Sequence, residues 1–283
     1  MSVYRFKPER FLSRLHSVTD KNPAADLFCA GFELGEWRCQ PFAYHLIEWL
    51  PDYALAEDEL QTHHGNAFVK LRQAALRVYT SQKYELRGEA GEIALHAICR
   101  EFFNTVPISP RVFYKSTSND VVKSFDLVHA QFPAGSKFQI WLGESKLYSA
   151  SKPAISAAIS SVKDHIRKGF LTNQKLILGP QIPKSTPHYA AIMEIFKTQT
   201  SIDKFLAASV FVIGILSDSS AVQASQIGDD QYVAQAVTEL NALVAELVKS
   251  NLCTKLKLLL IYVPLRSKDE LVTEFDKRLK ALQ

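Results

Sequence analysis

Apolar positions recur at helical spacing in the first third of this chain, change to alternating and continuous runs in the middle, and then switch between the two patterns to the end. Phe42 to Leu50 is a short apolar run stopped by Pro51, and Asn66 to Tyr79 has the three-to-four spacing of an amphipathic helix. Ala56-Glu57-Asp58-Glu59 and His63-His64-Gly65 read as a solvated helix and a turn. Together these predict a helical N-terminal region over residues 1–80, with a soft boundary near Ser81.

Glu85 to Phe103 is again helical in pattern. Three strand-like runs follow, Arg111 to Lys115, Ser124 to Phe132 and Lys137 to Leu147, separated by Asn119-Asp120 and Pro133-Ala134-Gly135 as turn signals. A helix rich in small residues is predicted from about Lys152 to Phe170. Residues 171–207 then read as an insertion with a short strand at Leu176 to Leu178 and one or two helices. Ser209 to Leu216 and Lys255 to Val263 are continuous apolar runs suited to buried strands. Tyr232 to Lys249 and Lys268 to Leu282 are helices. Helix, three strands, helix, strand is the core order of a restriction-endonuclease-like α/β fold, a mixed sheet flanked by helices. Residues 81–283 are assigned to it.

Composition adds bounds rather than a function. A chain of 283 residues with 47% hydrophobic residues can bury one large core, or one core plus a smaller appended domain, and a net charge of +4 permits nucleic-acid contact without arguing for it. No run reaches the ~18 apolar residues of a membrane span. The charged N-terminus lacks a signal-like apolar block. The four cysteines are widely spaced with no CxxC pair, which predicts reduced structural thiols, no zinc site and a cytoplasmic setting.

Candidate chemistry gathers at Ile140-Trp141-Leu142-Gly143-Glu144-Ser145-Lys146-Leu147-Tyr148, preceded by Ser124-Phe125-Asp126. Asp/Glu-x-Lys occurs once in the chain; chance supplies roughly one such tripeptide at this length, so its place at a strand end carries the weight. This is the layout of a PD-(D/E)xK nuclease. Phosphodiester cleavage needs an activated water and neutralisation of growing phosphate charge. Mg²⁺, with Mn²⁺ as a substitute, does both when held by carboxylates. Asp126 and Glu144 on adjacent strands would sit side by side, and strand alternation points Lys146 the same way as Glu144. The side chain of Ser145 points away, but its carbonyl is a further candidate ligand. On the preceding helix Glu85, Glu89, Glu92, His96 and Arg100 share one arc that faces solvent or a polar cleft. Glu92 is the first choice for a third metal-binding acid and Glu89 the second. Gly88 and Gly91 beside them suggest a close backbone approach.

Lys115, Lys123, Lys152, Lys163, His165, Arg167 and Lys168 surround the motif as candidate DNA contacts, chiefly Lys123, Lys152, Lys163 and Arg167. A solvated helix face accounts for Lys163 to Lys168 equally well. Gly179 to Thr186 imitates a phosphate loop but carries two prolines and lacks the glycine before the lysine, so no nucleotide site is expected there. His96 and Cys99 have no second pair to complete a metal tetrahedron and read as packed residues.

Several longer runs resemble the HamA family, the effector nuclease of the bacterial Hachiman anti-phage system. They are Leu71 to Tyr79, Arg87-Gly88-Glu89-Ala90-Gly91-Glu92-Ile93-Ala94-Leu95-His96, Ser118-Asn119-Asp120 and Lys123-Ser124-Phe125-Asp126. The likeness runs from about Phe28 to the C-terminus. It implies a DNase of low sequence preference that works beside HamB, a superfamily 2 helicase holding it in check until damaged or invading DNA is met. Asp126, Glu144 and Lys146 match the metal and catalytic positions, and Gly88 to Glu92 the helix acid. Phe125 stands where the motif's name has proline. Two other readings stay open: a non-catalytic module binding DNA or helicase, and a repair nuclease outside defence.

Overall fold

The computed structural model describes residues 5–79, 88–109, 125–134 and 137–283. Two strands come first, β1 (Ser13–Val18) and β2 (Ala24–Cys29), followed by a ribbon of β3 (Phe32–Glu33) and β4 (Glu36–Trp37). Helices α1 (Cys39–Glu48), α2 (Leu50–Ala54), α3 (Ala67–Val78) and α4 (Glu89–Phe103) lead to strands β5 (Val106–Pro107), β6 (Leu127–Gln131) and β7 (Gln139–Tyr148). Helices α5 (Ser151–His165), α6 (Lys168–Leu178), α7 (Tyr189–Phe196) and α8 (Ile202–Ala207) precede β8 (Ser209–Asp218). Then come α9 (Ser220–Gln223), α10 (Asp230–Lys249), β9 (Lys257–Leu265) and α11 (Lys268–Ala281).

Seven strands form one mixed sheet in the order β1-β2-β9-β8-β7-β6-β5. The central β2, β9, β8 and β7 are mutually parallel, and β1, β6 and β5 add antiparallel edges. β8 and β9 are apolar on both faces and almost wholly buried, as strands at the centre of a helix-covered parallel sheet must be. α4 and α11, with α1 behind them, cover one face, and α5 and α10 the other. Local chemistry sets the ends of the last two long helices. Asp229 accepts from the Tyr232 N–H to start α10, and Ser267 accepts from the Glu270 N–H to start α11. Among the described residues no helix is long and apolar enough to cross a membrane.

Three expectations need correction. Residues 1–80 are not purely helical, because β1 and β2 extend the sheet that also carries the candidate site. β1 lies on the edge with exposed residues at several positions, so it shows no apolar alternation, and β2 is only six residues long. The strand placed at Leu176 to Leu178 is the last turn of α6, which leaves residues 171–207 helical and looped. The single helix from Lys152 to Phe170 is two, parted at Ile166-Arg167, where Arg167 is extended (φ −62°, ψ 136°). The strand expected at Arg111 to Lys115 lies outside the described residues. β5 at Val106–Pro107 is the strand that pairs with β6.

Candidate active site

β7 presents different residues to the two helical layers. Ser145 and Leu147 face α4, where a Cβ on Gly91 would come within 3.0 Å of Ser145 Oγ and 3.1 Å of Leu147 Cβ. The close backbone approach expected near Gly91 is there. Glu144 and Lys146 face the other layer, towards α5. Glu144 is only 5% exposed; its Oε1 accepts a 2.6 Å hydrogen bond from Lys146 Nζ. Its Oε2 is buried, makes no hydrogen bond within the described residues, and lies 3.6 Å from His165 Nδ1.

Asp126 joins them from the neighbouring strand. The β6–β7 ladder pairs Leu127 with Gly143, and one step further along that register sets Asp126 opposite Glu144. Ordinary pairing ends there: the Asp126 N–H donates to the Gly143 carbonyl (2.9 Å), and Asp126 Oδ2 accepts from the Ser145 N–H (2.8 Å). A strand residue sends its N–H and C=O to the same side, so the Ser145 carbonyl also looks towards Asp126.

The charges are mutually dependent. Burial raises the Glu144 carboxyl above its usual value, the Asp126 carboxylate raises it further, and Lys146 with the Ser161 hydroxyl offsets part of this. Burial works to lower the Lys146 ammonium, but the charges of Glu144 and Asp126 outweigh it and hold Lys146 above its usual value. A buried acid bonded to Lys146, a half-buried acid on the next strand and one Glu144 oxygen unbonded among the described residues make an oxygen-rich cluster. Such a donor set fits a hard divalent cation.

The helix acids come from the other helical layer. α4 packs on the opposite face from Glu144, and among the described residues no group of three or more His, Cys, Asp and Glu side chains is gathered as a metal site. Glu92 is half-buried and accepts a 2.5 Å hydrogen bond from the Tyr53 hydroxyl; Glu89 is half-buried at the start of α4. Tyr53 also lines a small crevice with Asp126, His96 and His129, which brings the Glu92 end of α4 towards the Asp126 end of β6. Glu85 lies outside the described residues.

The rest of the α4 stripe is sealed inside. Asp52 of α2 accepts from His96 Nε2 (2.7 Å) and Arg100 Nε (2.9 Å), and His96 Nδ1 meets His129 Nε2 at 3.1 Å. His129 Nδ1 meets Thr105 Oγ1 at 2.7 Å. With both rings neutral, the chain reads Thr105 O–H to His129, His129 N–H to His96, and His96 N–H to Asp52. This seam staples α2 and α4 to β6. Cys99 is fully buried beside it, so His96 and Cys99 are packed as expected.

Of the proposed DNA contacts, Lys152 and Lys163 are exposed on α5 and fall on one stripe about three turns apart. Arg167 is exposed and pairs with Asp164 at 2.9 Å. Lys123 lies outside the described residues. His165, placed by sequence among solvated basic residues, is instead buried against Glu144; only the apolar company of Ile166 and Phe170 hinted at this. Ser161 and Tyr53 carried no sequence signal.

A seven-stranded mixed sheet layered by helices on both faces is a mixed α/β architecture compatible with a nuclease-like fold. The sequence model of the HamA family matches residues 6–279, nearly the whole chain. The chain therefore belongs to the HamA family, proteins associated with Hachiman defence. No curated protein matches it.

Proposed function

We propose that this chain is a metal-dependent DNA nuclease, the effector of a Hachiman system, controlled by a partner superfamily 2 helicase of the HamB kind. The observation that carries the reading is the convergence of Asp126, Glu144 and Lys146 where β6 meets β7. Asp126 and Glu144 would hold Mg²⁺ or Mn²⁺, with the Ser145 carbonyl and Glu92 or Glu89 as further donors. The bound cation would supply Lewis-acid neutralisation of phosphate charge and a more acidic water.

The chain's own groups do the rest. Lys146 balances the carboxylate charge while the site is empty of cation, and released from Glu144 Oε1 its ammonium reaches the attacking water or a phosphate oxygen. The water oxygen bonds to phosphorus, its proton leaves to solvent or a nearby base, and the bond to the leaving sugar oxygen breaks as that oxygen gains a proton. Lys152, Lys163 and Arg167 would track phosphates without reading sequence, and Lys123 would extend that path. Residues 1–80 and 171–207 offer the partner surfaces.

The purified chain is to be incubated with supercoiled and linear DNA plus Mg²⁺, beside Glu144→Ala and Lys146→Ala. Metal-dependent cleavage should fall at least ~100-fold in both variants. If the chain alone is inactive, helicase, ATP and DNA ends are added; inactivity of the complete set ends the nuclease reading. A second reading, a binding module with a degenerate nuclease fold, is favoured by one observation: no third acid joins the pair among the described residues. In that case no Mg²⁺-dependent heat or stabilisation will appear.

A further inference from the structure

We infer that His165 is a positioning residue for Glu144, holding its carboxylate plane so that Glu144 and Asp126 present oxygens to one cation. The inference rests on the reading of that pair as a cation site and names a residue which that reading does not contain. His165 ends α5 and is buried. Its ring stacks on Phe170 (centroids 4.5 Å apart, planes 16° apart) and meets Phe125 edge-on at 4.7 Å. Two aromatic neighbours therefore fix the plane of the imidazole, and that plane brings Nδ1 to 3.6 Å from Glu144 Oε2.

Glu144 needs such a neighbour. Lys146 holds Oε1, whereas Oε2 is buried and makes no hydrogen bond among the described residues. A buried acceptor left so destabilises the fold. His165 and Ser161, one turn apart on the same face of α5, both reach this carboxylate among the described residues. A contraction of a few tenths of an ångström makes Nδ1–H a hydrogen-bond donor to Oε2. Outer hydrogen bonds of this kind orient ligating carboxylates, and their loss typically weakens metal binding ~10–100-fold. The aromatic cage explains why a histidine is used here: it is stiff enough to hold direction and apolar enough to bury between two phenylalanines.

Three variants separate position from packing. His165→Phe keeps the aromatic stack and loses the nitrogen; His165→Asn restores an N–H near Nδ1; His165→Gln places its amide near Nε2 instead. Mn²⁺ alone, followed by electron paramagnetic resonance of the full chain, is the probe. Affinity should fall ~10–100-fold in His165→Phe, recover in His165→Asn and stay low in His165→Gln, with all three folded by thermal melting. The imidazole ¹⁵N resonances give a second, metal-free reading. The His165 Nδ1 signal should be of the protonated type and should move in Glu144→Gln. Wild-type affinity in His165→Phe, or equal behaviour of the Asn and Gln variants, overturns the inference. If the wild type itself binds no Mn²⁺, the cation site fails and His165's role in it fails too. The Nδ1 response to Glu144→Gln then shows whether the contact survives as a packing feature.

Discussion

A Cβ built on Gly143 would lie 2.7 Å from the Cβ of Leu127 and 3.1 Å from Leu95 Cδ2, closer than packed carbons tolerate. Leu95 of α4 fills the groove over Gly143 and reaches Gly214 on the next strand, so these glycines set how closely helix and sheet meet. Gly143→Ala must push β6 away or tilt α4, and overpacking of this kind costs ~1–3 kcal/mol. Urea unfolding should show that loss, and Mn²⁺ binding should weaken as well, because β6 carries Asp126 one residue before Leu127. A variant as stable as wild type would mean that the β6–β7 junction is softer than its contacts imply. None of this was visible in the sequence, where Gly143 is one residue in an apolar run. The Glu144-Ser145-Lys146 triplet was visible because strand alternation alone decides which side chains share a face. His165 was not, because its contact with Glu144 depends on how the end of α5 crosses β7.

At the scale of elements, the seam between α2, α4 and β6 determines how the protein meets acid. Burial lowers the imidazoles of both His96 and His129, and for His129 the nearby His96 and Arg100 add to it. Burial works to raise Asp52, but His96 and Arg100 outweigh it and hold the carboxyl below its usual value. A histidine lowered in the fold binds protons in the unfolded chain first. Its stabilising contribution is complete above the unfolded value of ~6.5 and drains away as pH falls below it. Asp52 contributes above the unfolded value of ~3.9 and loses its contribution only below that. Stability should therefore begin to decline near pH 6.5, with a slope of up to ~1.4 kcal/mol per pH unit for each histidine, and decline further below about pH 4. His129→Gln should flatten the first part of that decline by up to one proton, measured as urea stability from pH 8 to 5. An unchanged slope would show that His129 titrates normally and that the seam is open to water. Of the seam's helices α4 was legible as a periodic run, whereas α2 was not, because Pro51, read as a stop, sits in its first turn. β1 and β2 were not, since an exposed edge strand and a short buried one, Ala24–Cys29, lack a clear period of two. Leu176 to Leu178 failed for the converse reason: three apolar residues in a row fit a strand or a helix equally, and only the packed α6 decides.

The whole molecule holds a sheet whose centre is apolar and almost wholly buried, and whose junction at β6 and β7 concentrates negative charge. Glu144 is buried with Lys146 bonded to it and the charge of Asp126 acting against it, an arrangement that costs stability when no cation is present. Sites of this kind persist where function requires them, and neutralising one often stabilises the fold. Asp126→Asn is the informative change, because the carboxamide oxygen can still accept from the Ser145 N–H while the charge is removed. Without metal, Asp126→Asn should melt higher than wild type, by ~0.5–2 kcal/mol or a few degrees. Mg²⁺ at about 100 times its dissociation constant should raise wild-type stability by ~2.7 kcal/mol and leave Asp126→Asn where it was. The two melting curves would then cross as Mg²⁺ is added, the variant ahead at first and behind at saturation. A crossing identifies the acids as a cation site retained at the expense of the fold. If Asp126→Asn is less stable without metal and the wild type ignores Mg²⁺, the same acids are structural, and the chain acts in Hachiman defence by binding rather than by cleavage.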